Sequence, residues 1–273
     1  MACGTVGFFR HDRSGEWRVE GVKEPGEREA ALADGLALAA TASGFAAKLV
    51  RRRIPAEGWL ARTQAAFPEQ RIGRFILRGT HLPERSEPGR ITLLLDAGVA
   101  FGSGEHGSTR GCLRALERVA HRRPVRVLDL GTGSGVLAMA AARLLRRPVL
   151  GVDIEPWSVR TASDNAARNR LRPRLRCILA DGWRHRAVRM AGPFDLVFAN
   201  ILARPLCAMA RDLARGLAPG GTAILAGLLG AQMRLVLAAH RRQGLRLEQV
   251  VCEQGWTTLV LRKPAKPELC PAR

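Results

Sequence analysis

Three glycines at alternate positions, Gly131, Gly133 and Gly135, follow an apolar run that carries a single carboxylate, Asp129. Glycines so spaced let the backbone take positive φ values and let a ligand come close to bare amides at the start of a helix, here Val136 to Leu145. A dinucleotide fingerprint reads G-x-G-x-x-G, its last glycine allowing close helix packing beside a pyrophosphate. The pattern here is Asp129-x-Gly131-x-Gly133-x-Gly135. A carboxylate two residues before the first glycine is poorly placed for a pyrophosphate and suits an ammonium. The spacing therefore favours S-adenosylmethionine, with its methionine amine, over NAD; a glycine-rich turn with no ligand is the structural alternative. Asp153 closes the next apolar run, Pro148 to Val152, where one carboxylate can accept both hydroxyls of a ribose or, alternatively, cap a helix. Asp181, after the run Leu175 to Leu179, can accept an adenine amino group or serve as a turn residue.

These residues need a scaffold that brings successive strand ends together, and the chain supplies the pattern. Strand-like runs at 125–130, 148–152, 175–179, 194–199 and 222–226 alternate with helix-like runs at 136–145, 157–169, 202–217 and 232–242. Strict alternation predicts a doubly wound α/β fold with a mostly parallel sheet. The last two strands, 245–253 and 257–262, have only Gln254-Gly255-Trp256 between them, too short for a crossover helix, so they form an antiparallel hairpin. That ending suits a methyltransferase sheet better than a dinucleotide one.

Upstream, strands at 5–10 and 16–22, a helix at 27–42 and a strand at 47–54 make a small α+β segment. Arg51-Arg52-Arg53 reads as a solvated strand end. Residues 55–90, with four prolines, one helix-like piece (59–67) and one strand-like piece (72–78), read as a linker, and residues 263–273 as a loose tail. The large domain is expected over 91–262, opening with a strand at 91–95 and a helix at 110–120.

The chain has 273 residues, of which 47% are hydrophobic, enough for one large domain and a small one. A formal charge of +20 points to anionic surroundings such as RNA or a ribonucleoprotein. Nearly all basic residues are arginine and alanine is abundant, so codon bias is a competing source of the excess. Stacking aromatics interleaved with basic residues are missing and there is no tyrosine, which argues against single-strand binding. The six cysteines, at 3, 112, 177, 207, 252 and 270, form no C-x-x-C pair and have no histidines at metal spacing. No metal is expected. The N-terminus has no apolar signal core and no long uncharged apolar run occurs, so a cytoplasmic protein without membrane contact is expected.

Ala100-Phe101-Gly102-Ser103-Gly104-Glu105-His106-Gly107-Ser108-Thr109 is similar to the A-F-G-T-G-x-H-x-T-T signature of one family, with serine for threonine at 103 and 108. Asp129 to Gly135, Gly151-Val152-Asp153-Ile154 and Ala199-Asn200-Ile201-Leu202 match it too, as do the Gly-Arg-Phe and Trp-Leu-Ala-x-x-Gln-x-x-Phe stretches between 55 and 90. On these residues the chain resembles the bacterial methyltransferases of large-subunit ribosomal protein eleven, the PrmA family of class I S-adenosylmethionine enzymes. The resemblance implies a Rossmann-like seven-stranded sheet, a small ferredoxin-like N-terminal substrate-recognition domain over 1–54, incomplete here because it starts at the hairpin, and that ribosomal protein as partner. It places cofactor contacts at Thr109, Gly131, Asp153 and Asn200, and a lid over the cofactor at the Phe101 loop. It implies an amine-orienting role for Asn200, which resembles the Asn of the N-P-P-Y motif with Ile201-Leu202 in place of the prolines; the alternative is an ordinary turn residue. Glu105 and His106 read as a helix cap rather than an acid–base pair. The competing functions are a methyltransferase of RNA or of a small amine and, from another class, a non-catalytic RNA-associated module. Direct contact with ribosomal RNA and the oligomeric state stay open at this point.

Overall fold

The computed structural model describes residues 5–10, 17–22, 29–44, 68–83, 87–95 and 107–265. It divides into two units, Met1–Ala56 and Glu57–Arg273. In the first, β1 (Thr5–Arg10) and β2 (Trp17–Val22) pair antiparallel with Thr5 opposite Val22 and Arg10 opposite Trp17. Helix α1 (Glu29–Ser43) follows, rich in the good helix formers alanine and leucine, and ends at Gly44 with φ +72°. Leu38 of α1 is 73% exposed. The expected strand at 47–54, with Arg51–Arg53, and the helix at 59–67 lie outside the described residues.

The second unit opens with β3 (Gln70–Ile72), β4 (Phe75–Gly79) and β5 (Ile91–Leu95), a small sheet in which β3 and β4 form a hairpin and β4 runs parallel to β5. Here the structure departs from the sequence reading of 55–90 as a linker. Ile72, Phe75, Leu77, Leu93 and Leu95 are buried in the core of the larger unit, so residues 70–95 are part of its packing. Strand β3 is three residues long and the hairpin turns on Gly73, too little alternation for the pattern to stand out.

Then come α2 (Gly107–Val119), β6 (Val127–Leu130), α3 (Val136–Leu145), β7 (Val149–Asp153), α4 (Pro156–Arg168), β8 (Leu175–Leu179), α5 (Arg186–Ala191), β9 (Phe194–Asn200), α6 (Ala203–Ala208), α7 (Ala210–Gly216), β10 (Leu217–Leu229), α8 (Met233–Arg241), β11 (Arg246–Glu253) and β12 (Trp256–Arg262). The sheet order is β11-β12-β10-β9-β6-β7-β8, with β12 antiparallel to both neighbours and the remaining pairs parallel. This is the expected doubly wound sheet with its terminal hairpin. The single helix expected over 202–217 is two short ones, and the short α5 had no clear sequence signal.

Alternate residues of the central strands enter two separate cores. Leu196 and Phe198 of β9 face one, shared with α2, α3 and the small sheet; Val197 and Ala199 face the other, shared with Leu128, Leu130 and Leu206. Burial on both faces explains why these strands read as continuous apolar runs. The chain goes outward from β6 to β7 and β8, then returns to the other side of β6 with β9. The crevice at that reversal, outside the C-terminal ends of β6 and β9, is where open α/β sheets bind ligands.

Candidate active site at the sheet switch point

Asp129 and Gly131–Gly135 stand at that crevice, and the loop is held from several directions. Gly131, Gly133 and Gly135 take φ +68°, +53° and +82°. A Cβ on Gly131 would lie 2.4 Å from Cγ2 of Ile201, so no side chain fits where the segment after β9 crosses the loop. The amides of Gly131 and Thr132 both donate to the Val152 carbonyl (2.9 and 3.0 Å), Gly133 N–H donates to Asp153 Oδ2 (2.9 Å), and Gly135 N–H donates to the Thr132 carbonyl (2.8 Å). Asn165 of α4, fully buried, donates to the Ser134 carbonyl at 3.0 Å. The sequence reading expected bare amides for a ligand. These four amides of the loop are engaged inside the protein, and the glycines let the Ile201 segment come close.

Asp129 is 1% exposed. Its Oδ2 accepts from the Thr132 hydroxyl (2.8 Å) and from the Ala138 amide (3.1 Å) in the first turn of α3. Its Oδ1, equally buried, has no hydrogen-bond partner among the described residues. Burial pushes the carboxyl up to about 6, against the lowering effect of Thr132 and Ala138; the nearby Asp153 charge adds to the rise.

Asp153 ends β7 and uses both oxygens, Oδ2 for Gly133 N–H and Oδ1 for Glu155 N–H at 3.0 Å. Each carboxylate oxygen keeps acceptor capacity after one such bond. The contact two residues ahead steadies the entry to α4, and lone pairs on both oxygens are left over. Asp181 is exposed and pairs with Arg184 at 3.1 Å across the turn that follows β8. Asn200 closes β9 opposite Ala226 of β10, one strand over from Asp129, and its Oδ1 is buried with no hydrogen-bond partner among the described residues. Thr109, in the first turn of α2, is fully buried, and its hydroxyl likewise has no hydrogen-bond partner among the described residues. Phe101, Glu105 and His106 lie outside the described residues.

A model of the ribosomal protein L11 methyltransferase family, PrmA, matches residues 22–264. The chain belongs to this family. The ribosomal protein L11 methyltransferase of Rhizobium meliloti (strain 1021) is 47% identical over 214 residues, 78% of this chain and 74% of that one. The protein of the same description from Caulobacter sp. (strain K31) is 41% identical over 262 residues, covering 95% and 88%. Among solved structures, a ribosomal protein L11 methylase from Lactobacillus delbrueckii subsp. bulgaricus superposes with a TM-score of 0.64 at 28% identity, over 70% of this chain and 96% of that one.

In this family member several site residues escape a motif search. Thr132, Asn165 and Gly227 hold the loop and its surroundings: a Cβ on Gly227 (φ +82°) would lie 2.5 Å from the Ile201 carbonyl oxygen, so Ile201 is seated between two glycines from different strands. Asn169, one turn beyond Asn165, pairs with both backbone groups of Leu94, accepting from its N–H (2.9 Å) and donating to its carbonyl (2.7 Å). Asn165 of α4 and Asn169 at its C-terminal cap thus tie the glycine loop and β5 to the same helix. Ile154, next to Asp153, and Leu202, two residues past Asn200, are 65% and 74% exposed, an apolar rim at the crevice. Exposed apolar side chains directly after Asp153 and close to Asn200 were a usable signal. The two asparagines were not, because nothing local marks a helix residue that bonds to a distant backbone. Among the described residues no group of His, Cys, Asp and Glu could hold a metal, and no helix is long and apolar enough to cross a membrane.

Proposed function

We propose that the chain transfers methyl groups from S-adenosylmethionine to amino groups of ribosomal protein L11, lysine side chains, the N-terminal amine or both. The crevice fits that cofactor. Two carboxylates and a loop whose amides are already engaged disfavour a pyrophosphate, whereas Asp129 Oδ1 is an acceptor in want of a donor such as the methionine ammonium. Asp153 has lone pairs for ribose hydroxyls, Asp181 stands at the next strand end for the adenine amine, and Ile154 offers an apolar surface to a flat base. Thr109 and the Phe101 loop complete the proposed set. When bound, the cofactor supplies an activated methyl group on a sulfonium.

The protein's task is then to present an unprotonated amine in line with that methyl. A lysine with pKa about 10.4 is neutral about once in 2,500 molecules at pH 7, a handicap of about 4.6 kcal/mol. Desolvation in the crevice lowers the amine pKa. Asn200 Oδ1 accepts an N–H of the neutral amine and so points its lone pair. The observation that carries this reading is that Asn200 Oδ1 is buried, has no hydrogen-bond partner among the described residues and stands beside the glycine loop, since a buried acceptor left unmade costs about 1–3 kcal/mol and persists where a ligand satisfies it. The test is Asn200→Ala, with cofactor affinity by calorimetry and turnover on L11. Affinity should stay within a few-fold while turnover falls by two orders of magnitude or more; near wild-type turnover would remove the amine-orienting role.

A further inference from the structure

The edge of the large sheet opposite the crevice is dominated by arginine. The segments leading into β6, β7 and β8, residues 118–126, 143–148 and 168–174, carry eleven arginines and no aspartate or glutamate. An even spread of the chain's 44 basic residues would put about four there, so codon bias alone does not account for the concentration. The register brings them together. Val127 lies beside Val149 and Val149 beside Leu175, so Arg126 and Arg174 directly precede aligned positions, with Arg147 between them. At the usual strand spacing the three fall within about 10 Å along one edge.

Elsewhere the chain neutralises its arginines, Arg78 with Glu69 and Arg114 with Glu253, and of the eleven on this edge Arg122 pairs with Glu248. On this edge Arg123, Arg126, Arg146, Arg147, Arg172 and Arg174 are all exposed, and none has a side-chain ion pair or hydrogen bond among the described residues. Beside them, Arg74, His121, Arg123 and Arg147 line a cavity of about 510 Å³, large enough for a sugar–phosphate unit. Glu117, also in its wall, is bonded to the Arg74 amide.

We propose that this face binds the phosphate backbone of RNA. Guanidinium forks match pairs of phosphate oxygens, and a row of them on adjacent strands suits a repeating polyanion. An acidic protein partner would want apolar anchors; the large apolar side chain exposed in these segments is Val125. The choice of RNA over DNA rests on the ribosomal reading above. Because the face lies on the strand edge opposite the glycine loop, RNA held there leaves the crevice free.

The test is binding of full-length protein to labelled large-subunit ribosomal RNA across a salt series, wild type against the triple variant Arg126→Gln/Arg147→Gln/Arg174→Gln. These side chains have no partners among the described residues, and Arg126→Lys/Arg147→Lys/Arg174→Lys serves as the charge-preserving control. The glutamine variant should lose affinity about tenfold or more near 0.1 M salt, and its slope of log K against log salt should be shallower by about 2, three phosphate contacts fewer. The lysine variant should keep the wild-type slope. Unchanged affinity and slope in the glutamine variant would overturn the proposal, as would wild-type binding to anionic lipid vesicles or polyglutamate as tight as to RNA. Methylation of free L11, measured on the same samples, should be equal in all three proteins. Its absence in wild type would instead count against the ribosomal reading, whatever the RNA result.

Discussion

Replacing Asp129 by asparagine should make the protein more stable and a poorer binder of the cofactor. The carboxyl is fully enclosed, and burial raises it from about 3.8 to about 6. The folded state therefore holds this proton more tightly than the unfolded chain. The associated stability is fully present below about pH 4, is lost as pH rises through about 6, and stays lost above it. Two pKa units correspond to about 3 kcal/mol, the order of the cost that folding bears at pH 7 to keep a charge there. Asparagine keeps the shape and an acceptor for Thr132 and Ala138 without the charge, so Asp129→Asn should raise the thermal midpoint at pH 7.5 by several degrees. A cofactor ammonium beside Oδ1 favours the ionised form, so wild-type affinity should fall about tenfold per pH unit below 6 and be flat above it. In the variant that dependence should vanish and affinity at pH 7.5 should drop. Calorimetric titrations between pH 4.5 and 8, with melts on the same samples, provide the assay. A variant melting at or below wild type, or keeping the same pH profile of binding, would refute this reading of Asp129.

Asp153→Ala should abolish measurable cofactor binding, because it removes the proposed ribose acceptor and frees the Gly133 and Glu155 amides together; calorimetry with wild-type affinity would contradict it. Asn169→Ala should lower unfolding free energy by about 3 kcal/mol, since both backbone groups of Leu94 lose their partner, and denaturant titration checks this. Deleting residues 1–56 should leave a folded unit that binds the cofactor yet no longer methylates intact L11, because the proposed cofactor contacts all lie between Phe101 and Asn200; retained methylation would show that the smaller unit is not the recognition domain.

The glycine cluster, the carboxylates at the ends of β6 and β7 and the hairpin at β11–β12 were legible in the sequence, because each depends on local spacing. Gly131 is a good example: its positive φ and its place at a strand end are both written in the neighbouring residues. What closes on Gly131 is Ile201, seventy residues on, and the spacing carried no trace of that contact. The same holds for Asn165 and Asn169, ordinary polar positions of a helix until α4 is laid against the loop and β5. Residues 70–95 misled for a different reason. Proline frequency signals irregular chain, yet the short strands between the prolines pack into the core through Phe75 and Leu77, a tertiary effect that local propensity does not register. The arginine edge was visible only as net charge, since its three segments are separated by whole βα units.

The most direct measurement is incubation of the full chain with methyl-labelled S-adenosylmethionine and separated large-subunit components, followed by mass spectrometry of whichever component takes the label. Methyl transfer to amino groups of L11 requires label in that protein, in whole methyl increments on lysine side chains or the N-terminal amine. Label in RNA, or none anywhere while the cofactor binds, would contradict it.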